Sequence, residues 1–120
     1  MNETMSNEQE QTNIETALFI CQHPLDRHLQ AIKINGSYLR LRDKLWNVLV
    51  CLVENKSLLI SRDELITQFW DGNSFTGEQG TTHAICHLRK IFKQYNIDAT
   101  IMTIPKRGYV LQEKSDPLEL

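Results

Sequence analysis

Polar and apolar positions change rhythm several times along the chain. From Ile14 they alternate, with Ile14, Thr16, Leu18 and Ile20 on one side and Glu15, Ala17, Phe19 and Cys21 on the other. Period two is the mark of a half-buried strand. Leu29 to Ile34 runs into Asn35-Gly36, followed by Ser37 to Leu41. Asn-Gly between two extended runs predicts a hairpin, because a type I′ turn needs φ > 0 at both central residues. The chain therefore opens with a small antiparallel sheet.

The period then lengthens. Asp43 to Glu54 places Leu45, Leu49, Leu52 and Val53 on one stripe, widened by Trp46 and Val50, and predicts a core helix with Asp43 as its N-cap. Leu58 to Ile60 reads as a short buried strand. Ser61-Arg62-Asp63-Glu64 is a capping box, opening a helix that carries Leu65, Ile66, Phe69 and Trp70. Asp71-Gly72-Asn73-Ser74 stops it in a turn. A third helix is expected to begin near Thr76–Gln79 and to reach about Gln94, with Thr81, Ile85, Leu88 and Phe92 facing inward. Gly72, Gly77 and Gly80 read as turn and helix-start residues. Strands at Thr100–Ile104 and Tyr109–Leu111 flank the turn Pro105-Lys106-Arg107-Gly108. This order describes an α+β fold: a winged helix-turn-helix with an N-terminal antiparallel sheet, three helices and a C-terminal hairpin wing.

Composition narrows the class. In 120 residues, 13 are Lys or Arg and 15 are Asp or Glu, for a formal net charge of −2. A basic nucleic-acid binder usually has a pI above about 9, so the total argues against one until the charges are located. Residues 27–112 hold 12 basic and 7 acidic residues, and within 79–112 five bases face Asp98 alone. The acidic excess sits in the two ends. Residues 1–13 are polar and acidic and are expected to be a disordered tail, 14–113 the domain, and 114–120 a second tail. No apolar run approaches the ~20 residues of a membrane span. Three widely spaced cysteines and an acidic N-terminus point to a reducing cytoplasm and no disulfide framework. No nucleophile–base pair or phosphate-cradling glycine loop emerges, so an enzyme is not expected, nor is a cofactor.

Four motifs carry a resemblance. They are Leu41-x4-Trp46-x-Val48-Leu49-x2-Leu52, Ile60-Ser61-Arg62-Asp63-Glu64-Leu65-x4-Trp70, Ile85-x2-Leu88-Arg89-Lys90 and Ile104-Pro105-Lys106-Arg107-Gly108-Tyr109. In this order the chain resembles the OmpR/PhoB-type DNA-binding domain over roughly residues 18–112, and its wing is nearest the ToxR/CadC branch. The resemblance implies an N-terminal four-stranded sheet, a third helix in the DNA major groove, and a wing on the backbone or minor groove. It also implies that the loop Asp71–Gly77 faces RNA polymerase, chiefly through Asp71, Gly72, Asn73, Ser74 and Phe75. Receiver-bearing members carry a receiver before this unit and ToxR/CadC members a membrane span after it. Neither lies within these 120 residues, so a stand-alone domain is expected.

With the apolar stripe inward, the third helix turns Gln79, His83, Cys86, His87 and Lys90 outward, with Thr82, Arg89 and Lys93 on one flank. Gln, Thr and His can pair with base edges, whereas Arg and Lys suit phosphates. The wing adds Thr103, Lys106, Arg107 and Tyr109, the last with its ring in the core. Against this stand the plain alternatives. Gln79, Thr82 and Lys93 fit any solvated face, and Arg89 fits an ion pair that supports the fold. His83-x2-Cys86-His87 has the spacing of soft metal ligands, but no fourth ligand is near in sequence unless His23 or His28 folds in, and no metal site is expected. The expected partners are double-stranded DNA, bound as a homodimer or in tandem, and RNA polymerase. The competing reading is a protein-interaction module or anti-activator that uses the winged-helix surface to bind a regulator or polymerase.

Overall fold

The computed structural model describes residues 17–114. The proposed tails at 1–13 and 114–120 lie outside those residues except for Lys114, as do Ile14, Glu15 and Thr16 of the first alternating run.

Four short strands come first: β1 (Leu18–Ile20), β2 (His23–Asp26), β3 (Ala31–Ile34) and β4 (Ser37–Arg40). They pair antiparallel in the order β1-β2-β3-β4. Asn35 at φ 51° and Gly36 at φ 84° make the predicted turn, with Ile34 opposite Ser37. β2 escapes the sequence pattern: only Leu25 of its four residues is buried, and Pro24 offers no N–H to a ladder.

Helix α1 (Asp43–Glu54) follows and buries Trp46, Val48, Leu49, Leu52 and Val53. Its N-cap is Arg42 and not Asp43, which stands in the first turn, and no side chain caps the helix. Strand β5 (Leu59–Ser61) leads into α2 (Arg62–Phe69). The expected buried strand at 58–60 is an edge strand displaced by one residue, with Leu58 and Leu59 exposed and only Ile60 buried. The capping box forms as read: Ser61 Oγ accepts from Glu64 N–H at 3.0 Å, and Glu64 Oε1 accepts from Ser61 N–H at 3.3 Å.

Helix α3 (Ser74–Gln94) starts earlier than the sequence predicts. Asn73 caps it, its Oδ1 accepting from Phe75 and Thr76 N–H at 3.0 and 3.3 Å. The link from α2 is therefore short, with Asp71 and Gly72 at positive φ. Gly77 and Gly80 do more than stand near the helix start. Both lie inside α3, where a Cβ would come within 2.6 Å of Ile66 and 2.5 Å of the Trp70 ring. They are the contact points that let the two helices approach.

Strands β6 (Ala99–Ile104) and β7 (Gly108–Glu113) form the wing, and β5 joins them in a sheet of order β5-β7-β6. One core runs between the two sheets. Its fully buried members include Ile20 and Ile32, Leu49 and Leu52, Leu65, Ile85 and Leu88, and Ile101 and Leu111. At the seam between the sheets, buried Glu113 accepts from Cys21 N–H at 2.6 Å and pairs with Lys56 at 3.2 Å. Burial and the carboxylates of Glu113 and Asp98 push the Cys21 thiol above its usual value.

Candidate nucleic-acid interface

Burial of Thr81, Ala84, Ile85, Leu88, Ile91 and Phe92 fixes the rotation of α3. Gln79, His83, Cys86, His87, Lys90 and Lys93 are thereby exposed along its length. Their side chains make no hydrogen bond or ion pair among the described residues. Lys106 and Arg107 stand exposed at the wing tip, with Lys106 at φ 65°. Eight of the sequence-selected residues thus face solvent beside one another on helix and wing.

The other four are engaged in the protein. Arg89 reaches from α3 to the wing: its Nε donates to Ile101 O at 3.0 Å and its guanidinium also donates to Thr103 Oγ1 at 2.8 Å. That forked contact suits a planar guanidinium and holds the wing beside the C-terminal half of α3. The arginine satisfies a backbone carbonyl rather than a carboxylate partner. Thr103 is the acceptor in this bond.

At the N-terminal half the link is Arg62, which the sequence does not single out. Its Nε donates to Glu78 Oε1 at 2.6 Å, and its terminal nitrogens donate to Glu78 O at 2.9 Å, to Thr82 Oγ1 at 2.6 Å and to the Tyr109 hydroxyl. The guanidinium also lies over the Tyr109 ring, 5.8 Å from its centroid. Burial works against its charge, but Glu78 and the Tyr109 hydroxyl outweigh that and raise its pKa above the ordinary value. One cation thus joins α2, α3 and β7. Tyr109 is 5% exposed, with its ring in the core as read. Thr82 accepts from Arg62 while donating to Glu78 O at 3.0 Å. In the sequence Arg62 stands only as a member of the capping box and of the second motif; nothing local tells that it reaches residues 16 to 47 positions onward.

The turn between α2 and α3 leads directly into the first turn of α3. Asp71, Gly72, Asn73, Ser74 and Phe75 are all exposed, and Phe75 at 88% is the most exposed large apolar side chain among the described residues. Ser74 and Phe75 belong to the first turn of α3, and the loop proper is Asp71–Asn73. Among the described residues no group of three or more His, Cys, Asp or Glu side chains is arranged to hold a metal ion. No described helix is long and apolar enough to cross a membrane.

A helix-turn-helix whose second helix shows a polar and basic face, with a basic hairpin pinned beside it, defines a winged-helix DNA-binding domain. The chain belongs to the family described as "Transcriptional regulatory protein, C terminal", whose model matches residues 36–111. Among curated relatives it is 36% identical over 85 residues to the transcriptional activator CadC of Escherichia coli, covering 69% of this chain and 16% of that protein. It is 32% identical over 66 residues to the response regulator GraR of Staphylococcus aureus, covering 55% and 30%. The response regulator ArlR of the same species is 27% identical over 88 residues, covering 73% and 40%. The chain thus spans well under half the length of these relatives. The solved DNA-binding domain of E. coli CadC superposes with a TM-score of 0.67 at 32% identity, covering 79% of this chain and 90% of that one. The winged-helix fold and the resemblance drawn from the four motifs are therefore upheld.

Proposed function

We propose that this domain binds double-stranded DNA sequence-specifically to regulate transcription, with α3 in the major groove and the wing on the backbone or minor groove. The observation that carries it is the double pinning of helix and wing. Arg62 and Arg89 fix the two against each other, so Gln79, His83, Cys86 and His87 meet base edges in a set geometry. Lys90, Lys93, Lys106 and Arg107 remain free to neutralise phosphates. Arg89, Thr103, Thr82 and Tyr109 serve chiefly by holding the readers in place. A face of this size gives limited affinity alone, so two copies on repeated half-sites, as a homodimer or in tandem, are the expected bound form.

Exposed Phe75 supports a second contact. It is exposed together with the Asp71–Asn73 loop and offers RNA polymerase an apolar anchor. The test of the main reading is an electrophoretic shift on promoter fragments, comparing wild type with a Lys90→Ala/Lys106→Ala/Arg107→Ala variant. Wild type should bind with a steep salt dependence, and the variant should lose at least tenfold in affinity at low salt while keeping its melting temperature. If wild type binds no fragment even at low salt, the protein-interaction reading replaces this one.

A further inference from the structure

On the flank of α3 away from the wing, the end of β4 and the start of α1 enclose a groove of about 330 Å³. Its floor is apolar, with Leu39, Leu45 and Ile91, and its rim carries Arg42 and His87. Arg40 stands beside them, its Nε donating to Leu29 O at 3.3 Å. The Arg42 side chain is exposed and makes no hydrogen bond or ion pair among the described residues.

Nothing in the local fold favours an arginine at this point. Arg42 is the N-cap of α1, a position that prefers Ser, Thr, Asn or Asp because their oxygens accept a first-turn N–H. A guanidinium has no acceptor to offer, and its charge meets the positive end of the helix dipole. A residue that breaks a local rule without a compensating contact is a candidate for work outside the fold.

The position of the groove says what that work is. An α-helix is about 10 Å wide and fills a major groove about 12 Å across, so it runs between two walls of phosphates. One flank of α3 shows Lys93 and is backed by the wing with Lys106 and Arg107. The opposite flank shows His87, and the cations beyond it are those of the β4–α1 corner. We propose that Arg42, aided by Arg40, grips a DNA backbone phosphate on the wall opposite the wing, so that the domain holds both strands across the groove. This rests on the reading of α3 as the groove-reading helix. The occupant is the phosphodiester of bound DNA, because the charge lies at the rim next to a side chain on the reading face.

The test sets fold stability against DNA binding in one variant. Arg42→Ser supplies the missing cap and removes the cation. Its melting temperature should equal or exceed that of wild type. Its affinity should fall several-fold on specific and random fragments alike, and the slope of log K against log salt should flatten by about 0.9. Base preference should be unchanged, since a phosphate contact carries no sequence information. Arg42→Lys should keep most of the slope. Wild-type affinity and slope in Arg42→Ser would overturn the proposal. So would saturable binding of inorganic phosphate or 1-naphthoate to the DNA-free protein that Arg42→Ser abolishes without altering DNA binding, which would mark a small-anion site. If wild type itself binds no DNA, it is the underlying reading that fails, and the Lys90/Lys106/Arg107 comparison reports that separately.

Discussion

Two of the molecule's antiparallel hairpins are alike on paper and held in opposite ways. β3–β4 turns at Asn35-Gly36, and β6–β7 turns at Pro105-Lys106-Arg107. The first is shaped by its own turn residues. A Cβ on Gly36 would meet nothing within 4 Å. The second is shaped by its neighbours. Gly108, at φ 147°, passes so close to β5 that a Cβ would come within 2.1 Å of Ile60 O. On its other side, Arg89 ties β6 to α3. A hairpin that is only part of a scaffold can rely on local chemistry. The one that carries two exposed cations at its tip beside α3 is anchored from outside.

The strongest way to break this contrast is Gly108→Ala. The left-handed φ costs a β-carbon about 1–3 kcal/mol, and the collision with Ile60 O forces β5 away from β7. A total loss of about 3–5 kcal/mol is expected, read as a lowered midpoint in urea, which consumes much of a small domain's stability. If Gly108→Ala costs less than 1 kcal/mol, β5 does not hold the wing.

Next in size is Arg89→Lys. It keeps the charge but cannot make the forked contact to Ile101 O and Thr103 Oγ1. A loss of about 1–2 kcal/mol is expected, together with weaker DNA binding that persists when salt is lowered. If instead Arg89 acts on phosphate, the lysine variant would bind DNA as wild type does and lose no stability.

The contrast also explains what could be read from the sequence. Several features that rest on local chemistry are legible: the Asn35-Gly36 turn, the Ser61–Glu64 capping box, and the stripe of Thr81, Ile85, Leu88 and Phe92 that sets the rotation of α3. Whatever rests on distant neighbours is not. The glycines at 77 and 80 look like plain turn or helix-start residues until Ile66 and Trp70 are seen against them. Arg62 looks like an ordinary first-turn residue until Glu78, Thr82 and Tyr109 gather round it. By type, Arg89 fits either a phosphate or a carboxylate that supports the fold, while its acceptor, a carbonyl on β6, has no sequence signature. The sequence pattern starts α3 late because Ser74, Phe75 and Thr76 are poor interior helix formers, and the Asn73 cap that admits them acts through its own side chain.

The smallest effect belongs to the first hairpin. Gly36→Ala places a β-carbon at φ 84° in open space, so the cost is the left-handed conformation alone, about 1 kcal/mol. The loss should be at most a third of that for Gly108→Ala when both are measured by urea unfolding. It should leave the DNA affinity of the folded protein unchanged, because the turn carries nothing for α3 or the wing. Two glycines beside hairpin turns, both at positive φ (84° and 147°), then differ chiefly in what surrounds them. Equal losses at the two positions would mean that the backbone angle, and not the proximity of β5, sets the cost, and the wing would be a locally specified hairpin after all.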